Sequence, residues 1–111
     1  MLDRIAGPLE RYMDLLSARQ KMVASNIANA DTPGYRTKDI DFQAEFANAM
    51  GGAPRASEIG GLPVKNDGND VSVDREARLL AENALRFQMA SNLLRMQIRQ
   101  VRSAIEEGRS G

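Results

Sequence analysis

The chain has 111 residues, no cysteine and no histidine, and its fifteen basic residues balance fifteen acidic ones. This length is enough for one small domain. Without cysteine there is no disulfide, thiolate metal site or thiol nucleophile, and without histidine the commonest general base is missing. The balanced charge and the few aromatic residues argue against nucleic-acid binding. We therefore expect a protein that is not an enzyme and needs no cofactor or metal.

The first element in chain order is a predicted helix, the core of an N-terminal region 1–30. Gly7-Pro8 is a natural helix start, because a proline at the first helical position loses no needed N–H. The apolar stripe also continues back through Leu2 and Ile5, which leaves open a longer helix kinked at Pro8. Two polar residues, Arg19 and Asn26, fall in the heptad seam and would set its register. The predicted core residues of this helix are Leu9, Tyr12, Leu16 and Val23.

A corner follows in the stretch "ASNIANADTPGYRTKDIDF", and region 31–50 begins within it. Asn29 can end the helix, because asparagine tolerates the left-handed conformation. Pro33-Gly34 fit the central positions of a type II turn. Tyr35 would then point sideways, with a ring and hydroxyl suited to an interface. The alternation from Asp39 to Phe42 predicts an edge strand.

The rest of the middle changes character. Phe42 and Phe46, with Ala49 or Met50, could form one face of a short helix. Region 51–72 is rich in glycine, proline, asparagine and aspartate, and predicts a loop that is mobile or ordered only by a partner.

The third zone, 73–107, carries the strongest periodic pattern and predicts a long C-terminal helix, followed by a tail, 108–111. Ser72 or Asp74 could cap its start, and Gly108 could end it. Its heptad ladder is Val73, Ala77, Leu80, Ala84, Phe87, Ser91, Leu94, Ile98, Val101 and Ile105, of which we assign Leu80, Phe87, Leu94, Ile98 and Val101 to the core.

The predicted fold is all-α: an antiparallel coiled-coil hairpin of the two terminal helices with a short extended and loop middle. Such a hairpin buries one stripe of each helix, so further apolar residues need other chains. The residues expected to face neighbouring subunits are Leu15, Met22, Leu79, Leu85, Met89, Leu93 and Met96. The sequence thus predicts a protein that functions by assembling with other chains.

The run "SNIANADTPGYRTKDIDF" resembles the motif of the bacterial flagellar axial proteins, the rod, hook and hook-associated subunits. Residues 30–42 resemble the proximal rod proteins most. The resemblance implies a basal-body rod subunit that polymerises through its terminal helices and transmits torque from motor to hook. It also implies interface residues at the corner, which we place at Asn26, Asn29, Asp31, Thr32, Pro33, Gly34, Tyr35, Asp39, Asp41 and Phe42.

The resemblance further implies partners and a location. The partners are other rod subunits, copies of the chain, a FliE-type adaptor, the MS ring and the flagellar type III export apparatus. The location is the periplasm-spanning rod of the basal body. The N-terminus lacks the apolar core of a secretory signal, so we expect export without a cleaved signal peptide, and no apolar run is long enough to span a membrane.

Three alternatives stay open. The chain could be a different rod or axial subunit of the same family. It could instead be a soluble coiled-coil adaptor or export chaperone, which would form a stable oligomer without a flagellum. A membrane-surface helix is disfavoured, because the polar faces mix glutamate with arginine.

Overall fold

The structure is a computed structural model that describes residues 2–48 and 52–110, without the side chains of residues 2–5 and 110. The elements in chain order are α1 (Leu2–Ala28), β1 (Lys38–Ile40), α2 (Phe42–Ala47), β2 (Ala56–Glu58) and α3 (Val73–Ser110). The described part is elongated, with extents of 71 × 26 × 18 Å. The chain is therefore mostly helical, as predicted, with a long helix at each end. Among the described residues no helix is both long and apolar enough to cross a membrane.

The helices α1 and α3 pack side by side and run in opposite directions. Near the end of α1, the Asn26 amide donates to the Glu76 carboxylate at the start of α3, at 3.2 Å. Further along, the Asn83 amide donates to the Leu16 carbonyl at 2.6 Å and to the Gln20 side-chain oxygen at 3.2 Å. Each step back along α1 therefore corresponds to a step forward along α3. This register places the start of α1 level with about residue 100 of α3.

The length difference leaves the end of α3 without α1 beside it. At 1.5 Å per residue, the 27 residues of α1 span about 40 Å and the 38 residues of α3 about 57 Å. The residues after about position 100 therefore project beyond the hairpin. They remain helical through Gly108, so the predicted stop at that glycine is wrong.

The buried side of α3 is rotated from the predicted ladder. Its centre follows Glu76, Asn83 and Ala90, which are all at most 5 % exposed and lie seven residues apart. Leu94 and Val101 are half-buried beside this line. Three large residues assigned to the core instead lie at its edge, 36 to 41 % exposed: Leu80, Phe87 and Ile98. The buried face of α3 is rotated because Glu76 and Asn83 hydrogen-bond to α1. The spacing of apolar residues in the sequence does not reveal such polar contacts.

The assigned core of α1 divides between two levels of burial. Leu16 and Val23 are 1 % exposed, whereas Leu9 and Tyr12 are half-buried. Leu15, which was expected to face a neighbouring subunit, is completely buried. The expectation for Leu15 was wrong because α1 has a second packed face, which the middle of the chain covers.

That second face of α1 carries the segment from β1 to α2. Arg11 bonds the Glu45 carbonyl of α2 at 3.3 Å, and Asn26 bonds the Lys38 carbonyl of β1 at 2.8 Å. Leu15 lies on the same side of α1, between these two positions. The sequence predicted an extended stretch and a short helix here, and the structure shows that this segment folds back along α1. The rings that close this contact are Phe42 and Phe46, whose centroids lie 5.3 and 6.0 Å from that of Tyr12.

The extended part of the middle is shorter than predicted and is paired. Lys38 lies opposite Glu58, and Ile40 opposite Ala56, in an antiparallel two-stranded sheet. The strand stops before Asp41, whose carboxylate accepts the Ala44 N–H at 3.2 Å and caps α2. Asp41 and Phe42 therefore begin a helix and do not continue the strand. The second strand, β2, was not predicted from the sequence pattern, and it lies inside the predicted loop 51–72.

The ends of the long helices also differ in part from prediction. The helix α1 is already formed at Leu2 and contains Pro8, which favours the longer of the two predicted starts. The helix α3 begins at Val73 as predicted, with the Ser72 hydroxyl accepting the Arg75 N–H at 3.3 Å. Several predicted positions lie outside the described residues: the side chains of Leu2 and Ile5, together with Ala49, Met50 and the chain ends.

Candidate functional site at the helix corner

The end of α1 is held by a side chain from 40 residues away. The Asn69 amide donates to the carbonyls of both Asn29 and Thr32, each at 2.8 Å. Both carbonyls follow the last residue of α1, and they also accept the backbone N–H groups of Thr32 and Tyr35. No described residue other than glycine has a positive φ, so the prediction that Asn29 turns left-handed is wrong. The Ser25 carbonyl near the end of α1 instead accepts the Asn29 N–H at 3.1 Å and the Asn29 side-chain amide at 2.9 Å, and the fully buried Asn69 holds the residues that follow.

The turn that follows α1 has the predicted type II geometry. The Tyr35 N–H donates to the Thr32 carbonyl at 3.2 Å, and Gly34 has a φ of 74°. The turn is also fastened to the loop, because the Gly34 N–H donates to the Asp67 carbonyl at 2.8 Å. Gly68 has a φ of 86°, and a Cβ there would lie 3.4 Å from the Gly34 Cα. Two glycines thus let two turns approach closely.

The side chain of Asn26 joins three elements and uses its full hydrogen-bonding capacity. Its amide nitrogen donates to the Lys38 carbonyl at 2.8 Å and to Glu76 at 3.2 Å. Its oxygen accepts the Lys38 N–H at 3.1 Å and the Tyr35 hydroxyl at 3.0 Å. The amide therefore pairs with a strand residue as another strand would. Since Tyr35 bonds back to α1, its hydroxyl is used inside the chain and does not point outward as predicted.

Four charged side chains link α1, β1 and α3 beside Asn26. Arg19 binds the two Asp39 oxygens at 3.1 and 2.9 Å, a bidentate pairing that gives geometric specificity. Arg75 bridges Asp39 at 3.2 Å to Glu76 at 2.8 Å. The charges of this group cancel, which suits its burial. Arg19 was predicted as a register residue of the helix seam, whereas the structure places it against β1.

Asp70 forms a second buried contact on the loop side of the corner. Its carboxylate accepts the Thr37 N–H at 2.6 Å, and Arg36 lies 3.6 Å away. Burial raises the pKa of Asp70, but the hydrogen bonds from Thr37 and the Arg36 charge together outweigh it, and the pKa is lowered. The ionised carboxylate thus stabilises the attachment of the loop to the residues just before β1.

The predicted interface residues of the corner divide into buried and accessible ones. Asn26 and Asp39 are buried, and Asn29, Tyr35 and Phe42 are half-buried. The accessible set consists of Asp31, Thr32, Pro33, Gly34 and Asp41. The inner set holds the joint together, and the outer set leaves a turn at the surface.

Sequence reasoning missed the residues that fasten the corner from the loop and from α3. These are Thr37, Asn69, Asp70 and Glu76, all at most 2 % exposed. The run "KNDGND" before α3 contained a signal, because asparagine and aspartate side chains readily bond to backbone groups nearby. We took that run as a flexible loop. Its partner forty residues away could not be identified from one sequence.

The chemistry of the corner is that of a structural joint. Its carboxylates are neutralised by arginines, and its side-chain amides donate hydrogen bonds to backbone carbonyls. Within residues 2–48 and 52–110, no group of histidine, cysteine, aspartate or glutamate side chains is arranged to hold a metal ion. The arrangement fixes the directions of α1, the β pair and α3 relative to one another.

Comparison with known proteins agrees with a structural role for this joint. A family described as flagella basal body rod protein matches residues 13–36, from the middle of α1 to the turn. The flagellar basal body rod protein FlgB of Escherichia coli is 31 % identical, with 97 % of this chain and 99 % of that protein covered. The FlgB of Salmonella typhimurium is 32 % identical over the same shares. The FlgB of Cereibacter sphaeroides is 37 % identical, covering 83 % of this chain and 86 % of its own. The chain belongs to the FlgB family of flagellar basal body rod proteins.

Proposed function

We propose that this chain is a structural subunit of the proximal rod of the flagellar basal body. Its relatives are named as basal body rod proteins and not as enzymes, and the balanced, neutralised corner supports the same conclusion. In this proposal α1 and α3 form an antiparallel coiled coil, and neighbouring subunits pack against its free sides. Many such contacts together carry torque from the motor towards the hook.

The observation that carries the proposal is the exposed apolar surface on both sides of the buried line of α3. At about 100° per residue, one flank lies to one side of the α1 contact and a second flank lies to the other. The first apolar flank is Val73, Leu80, Phe87, Ile98 and Ile105, which are 36 to 53 % exposed. The second apolar flank is Leu85, Met89, Leu93 and Met96, which are 45 to 62 % exposed.

Two separate apolar flanks favour a subunit over a free hairpin. Contiguous exposed apolar surface of this kind marks interaction sites in soluble proteins. A simple dimer would cover one flank of each chain and leave the other in water. A subunit with neighbours on both sides covers both, and repeated contacts between unlike surfaces build open helical assemblies.

The accessible turn supplies a further contact in this proposal. Asp31, Thr32, Pro33 and Gly34 lie at the surface at one end of the hairpin, held by the buried corner behind them. We propose that this turn docks on an adjacent rod subunit. By resemblance, the other neighbours are copies of the chain, a FliE-type adaptor and the MS ring, reached after passage through the type III export apparatus.

The proposed function is tested by purifying basal bodies from the source bacterium and measuring this chain in them by mass spectrometry. We expect the chain at a fixed ratio to the other rod proteins. Substitution of the second flank, as in Met89→Glu, should deplete the chain from basal bodies and reduce swimming. Gln88→Glu is the matched control, because Gln88 is the exposed polar neighbour on the same helix. A chain absent from basal bodies but abundant as a soluble oligomer would favour the adaptor alternative.

A further inference from the structure

The charged residues of the corner and those on the exposed helix surfaces differ in their partners. At the corner, Arg19, Asp39 and Arg75 bind one another within the chain. On the remote half of α3, four exposed arginines take part in none of the ion pairs of the described residues, and on the outer side of α1 the same holds for two exposed acids. Three of these arginines, which we name the basic stripe, lie within about two turns of one another: Arg95, Arg99 and Arg102; the fourth is Arg109. The acids, which we name the acidic pair, are Glu10 and Asp14.

Within residues 2–48 and 52–110, neither group takes part in an ion pair. The ion pairs among the described residues involve other side chains: Arg11, Arg19, Arg36 and Arg75 with Asp39, Glu45, Asp70 and Glu76. No acidic residue occurs between positions 83 and 105, so the basic stripe lies in a segment of one sign. A helix face of this kind attracts an acidic surface.

The spacing of the two groups matches. Glu10 and Asp14 are four residues apart on α1, and Arg95 and Arg99 are four residues apart on α3, about 6 Å along each helix. In both cases the side chains lie one turn apart on a single face. Two ion pairs can therefore form together when an α1 of this sequence lies antiparallel to this part of α3.

The acidic pair of the same chain does not lie level with the basic stripe. Within the chain, the hydrogen bonds between α1 and α3 place Glu10 level with about residue 92 and Asp14 level with about residue 88. Arg99 and Arg95 thus lie about 10 Å further along, by the same offset in both pairs. A second copy that is displaced by that one offset aligns both pairs at once.

Resting on the proposed function, we propose that the basic stripe of one subunit binds the acidic pair on α1 of a second copy of this chain. Arg99 faces Glu10 and Arg95 faces Asp14, with the two helices antiparallel. Ile98, which is 36 % exposed, lies beside the two arginines on the side of the first apolar flank and supplies apolar contact at the edge. The two surfaces are different, so the contact is head-to-tail and continues from subunit to subunit.

Disulfide cross-linking in isolated basal bodies tests this contact directly, because the native chain contains no cysteine. Two differently tagged chains are co-expressed, one with Asp14→Cys and the other with Arg95→Cys. We expect an oxidised dimer that carries both tags. The matched control replaces Arg95→Cys by Arg78→Cys, an exposed arginine on another side of α3, and should give no such dimer.

Charge reversal provides the second test. The variant Arg95→Glu with Arg99→Glu should lower the amount of chain in basal bodies by about tenfold, because two attractions become repulsions. Adding Glu10→Arg and Asp14→Arg restores the complementarity and should recover incorporation. All four positions are exposed, so the fold of the single chain is spared.

The outcomes separate the contact from the proposed function. If the chain is incorporated and position 95 does not cross-link to position 14, the proposed contact is overturned and the rod assignment stands. A cross-link from position 95 to a different protein also overturns it, because the occupant is then not a second copy. If the cysteine-free chain is absent from basal bodies, the proposed function fails, and the inference fails with it.

Discussion

The corner and the remote half of α3 use polar residues in opposite ways. At the corner, Asn26 makes four hydrogen bonds and Asn69 caps two carbonyls, and both side chains are almost completely buried. Along residues 92–109, the charged side chains are exposed, and they alternate with large apolar ones. The corner is complete within one chain, whereas the remote half of α3 presents an unfinished surface. Stability and assembly are therefore assigned to different parts of the molecule.

The largest expected effect on stability is at Asn26. Asn26→Ala removes four hydrogen bonds and leaves the buried Glu76 carboxylate and the part-buried Lys38 backbone groups without this partner. Since each abandoned buried group costs about 1–3 kcal/mol, we expect a loss of about 3 kcal/mol or more. Urea unfolding followed by circular dichroism measures it. The control Asn92→Ala, at an exposed position of α3, should change stability by less than about 0.5 kcal/mol.

A smaller effect is expected where the two turns meet. Gly68→Ala places a Cβ 3.4 Å from the Gly34 Cα at a φ of 86°, which we expect to cost about 1–3 kcal/mol. Gly60→Ala is the matched control, because a Cβ at Gly60 meets nothing within 4 Å and its φ is not in the left-handed region. Hydrogen exchange at Tyr35 and Thr37 measures the local opening. Equal protection in both variants would show that the loop does not hold the turn.

The loop contact also predicts a pH dependence. Because the pKa of Asp70 is lower in the folded chain than in the unfolded chain, its ionised form adds stability above the unfolded pKa of about 4. That stability is lost as the pH falls through the lower folded pKa. Asp70→Asn should therefore flatten the acid side of the stability curve, as measured by urea unfolding between pH 2 and 6. A variant curve parallel to that of the native chain would contradict this role of Asp70.

The same division explains what the sequence could predict. The two long helices, the type II turn at Pro33-Gly34 and the start of α3 follow from local patterns, and each of these was correct. The rotation of α3 was not predictable, because it depends on Glu76 and Asn83 meeting polar atoms of a distant helix. Leu15 was misplaced for a related reason: its cover is the segment from β1 to α2, which was predicted as extended and helical but not as packed against α1. Local periodicity reports neither kind of contact.

The smallest effect on the single chain is expected on the second apolar flank. Leu85 is 60 % exposed, so Leu85→Gln removes little buried surface and should change the stability of the isolated chain by less than about 0.5 kcal/mol. Incorporation into basal bodies should nevertheless fall, because a neighbouring subunit buries that side chain in the proposed rod. For Asn26→Ala we expect the reverse: the larger effect is the loss of stability of the isolated chain. Suppose instead that Leu85→Gln and Asn26→Ala each lowered stability and incorporation in equal proportion. The exposed flank would then belong to the fold of the single chain. In that case the division between the corner and the remote half of α3 would not hold.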